Sequence, residues 1–319
     1  MKQIPGVSIG HAQNLEAATG CTVILAPEGV VCGVDQRGGA PGTRETDLLR
    51  PMHLVDKVHA VLLTGGSAYG LAAADGIMQW LEERGFGFDV GVAKVPIVTA
   101  ASLFDLALGS ADVRPDSNMG YAACESAAID FADKTGTVGA GTGATIGHLL
   151  GDAGCMKGGL GTAILEVVPR VFVGALFAVN CFGDVSDPKT GNIIAGTRKM
   201  PEGVFVDTLN ELSKIPSTFA GAVRNTVIGA VITNATLSKE WANKVAQMAH
   251  NGLARTIVPA HSMFDGDTIF ALATGRAAAM DVNVIGAFAA EATALAIVDA
   301  VKKATSLCGV AAFKDVSSN

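Results

Sequence analysis

Large aromatic side chains are scarce in this sequence. Its 319 residues include 13 Phe, two Trp and two Tyr, against 39 glycines, while 49% are hydrophobic. A core with so few rings has to be built from Ala, Val, Leu and Ile, and the glycines allow backbones to approach closely. The composition therefore favours a tightly packed, layered α/β body. With no flexible linker in view, we interpret residues 1–319 as a single domain.

The chain also lacks an excess of positive charge, a paired-cysteine motif and a leader-like apolar start. With 23 Lys and Arg against 30 Asp and Glu, it carries a net charge of −7, which argues against a nucleic-acid partner. Its six dispersed cysteines form no CxxC pair, so we predict reduced core residues, with neither zinc nor disulfides. The apolar stretch 284–301 is interrupted by Glu291 and Asp299, so we expect a cytoplasmic protein without a membrane segment.

Apolar runs and turn residues predict the main elements. Residues 21–34 are interpreted as two strands around a Pro-Glu-Gly turn, and 162–168 with 171–180 as an antiparallel pair. Residues 226–233 are apolar at nearly every position and predict a strand covered on both faces. Helices are predicted from Ser67, from Ser238 and from about Val284. Together they predict helices packed around central sheets.

The junction between Asn225 and Thr226 is the most informative point of the chain. A polar, turn-prone stretch ends at Asn225, and Thr226 opens the predicted buried strand. If the peptide bond before Thr226 were cut, one residue would carry both a hydroxyl nucleophile and its own amine base. On its own, however, a threonine at this position also fits an ordinary strand start.

Polar residues that interrupt other apolar runs are candidates for the same site. Asn180 ends a long apolar strand, Lys157 lies between Met156 and two glycines, and Asp265 and Asp267 precede another strand. A buried amide needs partners, and an apolar setting lowers the pKa of a lysine. Taken singly, these residues also fit a strand-end cap, a solvated loop charge and a turn. Together with the junction, they predict an active site.

Two other motifs match known signatures poorly. Ser67 follows a strand and opens a helix like the nucleophile of a G-x-S-x-G elbow, but the final position is Tyr69, so Ser67 is better interpreted as a helix cap. Residues 139–144 fit a G-x-G-x-x-A dinucleotide pattern, yet no convincing buried strand precedes them. We expect these glycines to line a cleft with backbone N–H groups.

Eight ordered motifs extend over nearly the whole chain. They are IPGVSIGH at 4–11, RETD at 44–47, LTGGSAYGL at 63–71, VGAGTGA at 138–144, MKGG at 156–159, NCFGD at 180–184, NT at 225–226 and DGDT at 265–268. With these motifs the chain resembles the DmpA-type L-aminopeptidase D-esterase/amidase family of self-cleaving hydrolases, which includes the 6-aminohexanoate (nylon) oligomer hydrolases. The resemblance implies a four-layer αββα sandwich, similar to that of ornithine acetyltransferases.

The resemblance also implies a maturation step and an assembly. Cleavage between Asn225 and Thr226 would leave an α chain of residues 1–225 and a β chain of 226–319. Thr226 would then be the N-terminal nucleophile, as in the nylon-oligomer branch. The family further implies a homotetramer or a larger assembly. No metal or organic cofactor is required.

Roles for the other candidates follow from the same resemblance. Lys157 matches the active-site lysine, Asn180 the oxyanion-stabilising asparagine, and Asp265 with Asp267 the acidic pair near the nucleophile. Tyr121 resembles a tyrosine implicated in the site. Some aminopeptidase members carry Ser and Glu where this chain has the two aspartates, so their substrate preference does not transfer.

The expected activity is hydrolysis of a peptide, an amino-acid amide or ester, or an oligoamide through an acyl-threonine intermediate. Two alternatives stay open from the sequence. One is acyl transfer of the ornithine acetyltransferase type, which depends on the acceptor that reaches the acyl-threonine. The other is a small-molecule-binding protein that keeps the fold without activity.

Overall fold

The computed structural model describes residues 1–129, 134–214 and 225–316. Its strands are β1 Ser8–Asn14, β2 Thr19–Gln36, β3 Gly42–Arg44, β4 Lys57–Thr64, β5 Phe88–Asp89, β6 Lys94–Val95, β7 Val98–Ser102, β8 Thr145–Ile146, β9 Met156–Lys157, β10 Gly159–Val168, β11 Val171–Asn180, β12 Asp184–Ser186, β13 Ile193–Ala195, β14 Arg198–Lys199, β15 Val204–Phe205, β16 Thr226–Thr233, β17 Ile257–Val258 and β18 Thr268–Ala273. Its α-helices are α1 Ala73–Glu82, α2 Ser117–Ile129, α3 Thr208–Leu212, α4 Lys239–Thr256, α5 Val282–Lys303 and α6 Phe313–Val316.

One large mixed sheet organises the molecule. Its strands follow the order β10-β11-β16-β18-β2-β4-β7-β3, and β1 pairs with β2. Most neighbours are antiparallel, whereas β16 with β18 and β4 with β7 are parallel. Since β16 runs antiparallel to β11 and parallel to β18, the end of β11 lies at the same sheet edge as the starts of β16 and β18.

Strand β16 separates two hydrophobic clusters. All eight of its residues are buried. Val227 and Val231 pack into a cluster shared with helices α4 and α5, while Ile228 and Ile232 face a second cluster on the opposite side. This alternation with a period of two is the pattern of a strand buried on both faces. The prediction of a covered strand at 226–233 is confirmed.

Strands β2 and β4 separate the second cluster from a third. Ile24 and Leu63 join the second cluster, together with the side chains from β16. Val23 and Leu62 point the other way and pack with residues of helices α1 and α2. The described chain is thus a mixed α/β body in which helices cover the outer sides of two strand regions.

Several predicted elements are confirmed. The 162–168 and 171–180 runs form the antiparallel pair β10 and β11. Ser238 caps α4 by accepting a hydrogen bond from the Trp241 N–H. The long alanine-rich helix is α5, which has the length and apolar composition of a membrane span but packs in this structure as a core helix against α4, β10 and β11.

Two local predictions are wrong. The predicted hairpin at 21–34 is the single strand β2, whose pairing with β4 shifts between Leu25 and Val30. A bulge forms there because residues 31–36 continue along β18, which holds the strand in its direction. Ser67 makes no side-chain cap: Gly66 is left-handed, and Ser67, with φ +56°, begins a 3-10 helix that precedes α1.

Candidate active site

The Asn225–Thr226 junction lies at the sheet edge where β11 ends. Asn180 is the last residue of β11, and it pairs directly with Thr226 in the antiparallel register. Asn180 is fully buried, and Thr226 is only 4% exposed. Directly opposed residues of an antiparallel pair lie close together. Two residues 46 positions apart in sequence are therefore neighbours because of strand pairing.

The acidic turn before β18 closes the other side of the junction. Asn225 forms an isolated parallel bridge with Asp265. The Gly266 N–H donates to the Asn225 carbonyl at 3.2 Å, and the Val227 N–H donates to Oδ1 of Asp267 at 2.9 Å. The peptide bonds on both sides of Thr226 are thus held by consecutive residues of one turn.

The Thr226 hydroxyl lies directly against the preceding carbonyl. Its Oγ1 is within hydrogen-bond distance of the Asn225 oxygen, the same oxygen that accepts from the Gly266 N–H. A Cβ added to Gly266 would lie 2.8 Å from this hydroxyl oxygen and 2.5 Å from the Ala40 carbonyl. Only glycine fits at 266 without moving the hydroxyl or its surroundings.

Asp265 is buried and has donors on both oxygens. Its Oδ1 accepts from the Phe182 N–H at 3.4 Å, and its Oδ2 accepts from the Ser262 N–H at 3.1 Å and from the Ser262 hydroxyl. Burial, followed by the charge of Asp267, raises the pKa of Asp265 to about 6, while the bonds from Ser262 and Phe182 act in the opposite direction. This carboxyl group titrates within reach of neutral pH.

A glycine loop that the sequence reasoning missed packs over the acidic turn. The Arg37 N–H donates to the Asp267 carbonyl at 3.0 Å, and the Ala40 N–H to the Asp265 carbonyl at 2.8 Å. A Cβ on Gly38 would approach the Asp265 carbonyl oxygen to 2.3 Å. The consecutive glycines at 38 and 39, directly after a strand, were the available signal for this close approach.

The side-chain amide of Asn180 is fixed by main-chain groups. Its Oδ1 accepts from the Thr145 N–H at 2.9 Å and lies 3.3 Å from the Thr145 hydroxyl, and its Nδ2 donates to the Phe104 carbonyl at 3.0 Å. These bonds set which end of the amide is the donor. Thr145 and Phe104 also line a small cavity of about 30 Å³, together with Asp105, Leu108 and His148.

Lys157 is buried opposite Thr145, the residue whose N–H donates to the Asn180 amide. It pairs with Thr145 across β8 and β9, and its Nζ donates to the carbonyls of Gly141, Ala144 and Gly158 at 2.7–3.0 Å. Burial lowers the pKa of Lys157 to about 7, an effect opposed chiefly by Asp105. Three acceptors match the three N–H groups that only the charged ammonium carries. The glycine-rich segment 139–144 therefore binds Lys157 through the carbonyls of Gly141 and Ala144. The sequence had predicted instead that this segment lines a cleft with backbone N–H groups.

Tyr121 lies elsewhere. It is on α2, which packs against α1, β1 and β2, and its hydroxyl donates to Oε2 of Glu83 at 2.7 Å. No contact of Tyr121 with the junction is found among the described residues. The structure brings together Thr226, Asn225, Asn180, Asp265 and Asp267, with Lys157 connected through Thr145, and it leaves Tyr121 outside this group. The described residues also contain no cluster of His, Cys, Asp or Glu suited to a metal.

Comparison with solved structures identifies the fold. A β-aminopeptidase from Burkholderia sp. superposes with a TM-score of 0.69 at 23% identity, covering 99% of this chain and 91% of that one. The L-aminopeptidase D-Ala-esterase/amidase of Ochrobactrum anthropi has a TM-score of 0.69 at 19% identity, over 94% of this chain and 85% of that one. The latter structure is described as a variant of the Ntn hydrolase fold. The fold of this chain is thus that of the two structures, the variant of the Ntn hydrolase fold.

The sequence comparisons give the family. The model of peptidase family S58 matches residues 1–314, so the chain belongs to that family and is an amide-bond hydrolase. It is 43% identical to an uncharacterized aminopeptidase of Mycobacterium tuberculosis, with 98% of this chain and 96% of the relative covered. It is 32% identical to a 6-aminohexanoate-oligomer endohydrolase of Kocuria sp., over 93% of this chain and 84% of the relative. The resemblance inferred from the motifs is confirmed.

Proposed function

We propose that the chain cuts itself between Asn225 and Thr226, and that the freed Thr226 then hydrolyses amide bonds. The observation that carries the proposal is the placement of the Thr226 hydroxyl against the Asn225 carbonyl, whose oxygen also accepts from Gly266. A nucleophile beside an amide carbonyl, with a donor already on its oxygen, is the arrangement that acyl transfer requires.

Self-cleavage proceeds by an N-to-O acyl shift followed by hydrolysis. Oγ1 of Thr226 loses its proton and attacks the Asn225 carbonyl carbon, and the oxyanion that forms is stabilised by the Gly266 N–H. The C–N bond then breaks, the Thr226 nitrogen takes up the proton that Oγ1 gave up, and an ester links Asn225 to Oγ1. Water cleaves this ester, leaving a carboxylate on Asn225 and a free Thr226 amine and hydroxyl.

Asn225 itself supports cleavage at this bond. Asn225 is 1% exposed, and neither the oxygen nor the nitrogen of its side chain has a hydrogen-bond partner among the described residues. A buried, unpaired amide destabilises the intact junction by about 1–3 kcal/mol. Cutting the chain would let this residue move to solvent or to a new partner, which removes that cost.

In turnover, the new amine acts as the base for the hydroxyl on the same residue. The unperturbed pKa of an α-amino group is about 8, so a fraction is neutral and able to accept the Thr226 proton near pH 7. Asp267 accepts a hydrogen bond from the Val227 N–H and thereby orients the nucleophile. Asn180, which lies opposite Thr226, donates to the substrate oxyanion. Lys157 stabilises the loop that carries Thr145 and thereby the Asn180 amide.

The same proposal includes the architecture and the assembly. The three hydrophobic clusters, two flanked by helices and one between strand regions, support a four-layer αββα arrangement. Strands β16 and β18 lie between β11 and β2 in the sheet, so the 226–319 chain would stay bound to the 1–225 chain after cleavage through the pairing of β16 with β11 and of β18 with β2. A homotetramer or larger assembly is carried over from the resemblance.

The proposed substrate class follows from the names of the relatives. Relatives are named aminopeptidase and 6-aminohexanoate-oligomer endohydrolase, so we propose short peptides, amino-acid amides or linear oligoamides. The family is one of peptidases, which favours water over an acyl acceptor and disfavours a non-catalytic role.

Intact-mass measurement tests the proposal directly. The purified protein should yield two chains, one ending at Asn225 and one beginning at Thr226, and should release product from an amino-acid amide. Thr226→Ala should stay whole and inactive, while Thr226→Ser, which keeps the hydroxyl, should still be cut. Cleavage and amide hydrolysis that both persist in Thr226→Ala would refute the mechanism.

A further inference from the structure

We propose that His261 is a positioning residue for the nucleophile, acting through Asp267; the inference rests on the function proposed above. Asp267 is 1% exposed, and its two oxygens face different partners. Oδ1 accepts from the Val227 N–H at 2.9 Å, while Oδ2 accepts from His261 twice, from Nδ1 at 2.8 Å and from the main-chain N–H at 3.1 Å. The carboxylate thus links His261 to the residue next to Thr226.

The hydrogen-bond partners define the tautomer of His261. Because a carboxylate oxygen only accepts, the proton of the neutral ring resides on Nδ1. Nε2 of His261 is buried without a partner among the described residues, so a proton there would be an unsatisfied buried donor. Of the two tautomers, the Nδ1–H form is therefore favoured, and it presents its donor to Asp267.

A second histidine holds this ring in place. His250 packs edge-on against His261, with ring centroids 4.8 Å apart. Nε2 of His250 donates to the Asp35 carbonyl at 3.0 Å, and its ring is fully buried. Burial lowers the pKa of His250 to about 4, which keeps this neighbour neutral near pH 7. An uncharged, packed ring behind His261 fixes its plane without competing for Asp267.

The backbone at His261 is adapted to the same task. Its φ of +58° lies in the left-handed region, which non-glycine residues seldom adopt and Asn adopts most readily. In this conformation the main-chain N–H and the ring of one residue both reach the same carboxylate oxygen. Sparsely populated backbone conformations of this kind occur often at functional sites.

Two substitutions separate positioning from packing. His261→Asn tolerates the left-handed backbone and can place its amide N–H where Nδ1–H stood, whereas His261→Gly tolerates the backbone and keeps the main-chain donor but has no side-chain donor. We expect His261→Gly to slow self-cleavage and to lower kcat on an amino-acid amide by about 10- to 100-fold, with KM little changed, because the nucleophile loses its orientation. His261→Asn should recover most of that loss.

The outcomes are distinct. A His261→Gly variant that keeps wild-type rates, or a His261→Asn variant as slow as His261→Gly, would overturn the proposal. If His261→Gly does not fold, nitrogen NMR of the wild-type ring decides: the Nδ1–H form supports positioning and the Nε2–H form refutes it. Failure of the proposed function would appear separately, as cleavage and hydrolysis that survive in Thr226→Ala.

Discussion

The lysine site and the acidic turn use buried charge in different ways. Lys157 is enclosed by three carbonyls, so every N–H of its ammonium is occupied within the scaffold. Asp265 and Asp267 are equally buried, but they belong to a turn that bonds both peptide units around Thr226, through the Gly266 N–H and the Asp267 carboxylate. Lys157 thus bonds only the main chain that surrounds it, whereas the acidic turn bonds the peptide unit that we propose is cut and the unit that follows it.

The difference teaches that burial alone does not identify a reacting group. A buried charge whose N–H groups all bond main-chain carbonyls can serve chiefly to stabilise the fold, since breaking these hydrogen bonds lowers the free energy of unfolding. A buried charge joined to a nucleophile by a single backbone bond transmits its position to that nucleophile. We therefore expect changes at Asp267 to act mainly on rate and changes at Lys157 mainly on stability.

The largest effect is expected from Asp267→Asn. The amide N–H group of the variant would face either Val227 or His261, both of which are donors already. One of these hydrogen bonds would therefore be lost, and the turn would no longer fix the position of Thr226. Self-cleavage and kcat should fall by about 100-fold, measured by mass spectrometry over time and by amide hydrolysis. Asp184→Asn is the matched control, because Asp184 is buried and bonded to Thr197 and Thr208. Equal losses in both variants would contradict the comparison.

Lys157→Met should act on stability first. The change leaves three buried carbonyls without their donor, and the free energy of unfolding should fall by about 3 kcal/mol or more. Chemical denaturation of the cleaved protein measures this loss. A variant that keeps wild-type stability but loses activity would place Lys157 in the chemistry and remove the contrast with the acidic turn.

The pH dependence of stability gives a second check on Lys157. The unfolded chain holds this proton up to the ordinary pKa of 10.5, but the folded chain only to about 7. The unfolded state binds more protons between these values, so this group makes stability rise with pH across that window. This rise of stability with pH should be absent in Lys157→Met. If the slope of stability against pH is the same in the variant, Lys157 is not its source.

Ser262→Ala should have a moderate effect, confined to the pH dependence of kcat/KM. The Ser262 hydroxyl donates to Asp265 and holds its pKa down, so its removal raises a pKa already near 6. If ionised Asp265 is needed, the acidic limb of kcat/KM should move to higher pH by on the order of one pH unit. A limb that moves to lower pH, or stays fixed, would show that Asp265 does not control it.

The smallest effect is expected from Tyr121→Phe. The lost hydroxyl bonds Glu83 at the surface, so stability should change by about 0.5 kcal/mol at most, and hydrolysis should keep its rate. Thermal denaturation and steady-state kinetics are the measurements. A tenfold drop in kcat would instead return Tyr121 to the active site, as the family resemblance implied.

Elements that depend on a short stretch of sequence were predictable, whereas contacts between segments far apart in the chain were not. The buried strand at β16, the β10–β11 pair and helix α5 follow from apolar patterns alone. The supposed hairpin at 21–34 was wrong because the pairing of β2 with β18 overrides a turn-forming Pro-Glu-Gly sequence. His261 and Gly38 went unnoticed, since their importance lies in contacts with Asp267 and Asp265.

The sequence by itself determined the family, the candidate junction at Asn225–Thr226 and the residue types that surround it, because ordered motifs and apolar periodicity are local properties of a chain. Tertiary structure decided which of those residues meet. Strand register sets Asn180 opposite Thr226, and a parallel neighbour brings the acidic turn to the same edge. Pairing across the sheet is a long-range choice, fixed by packing in three cores, and no local pattern encodes it.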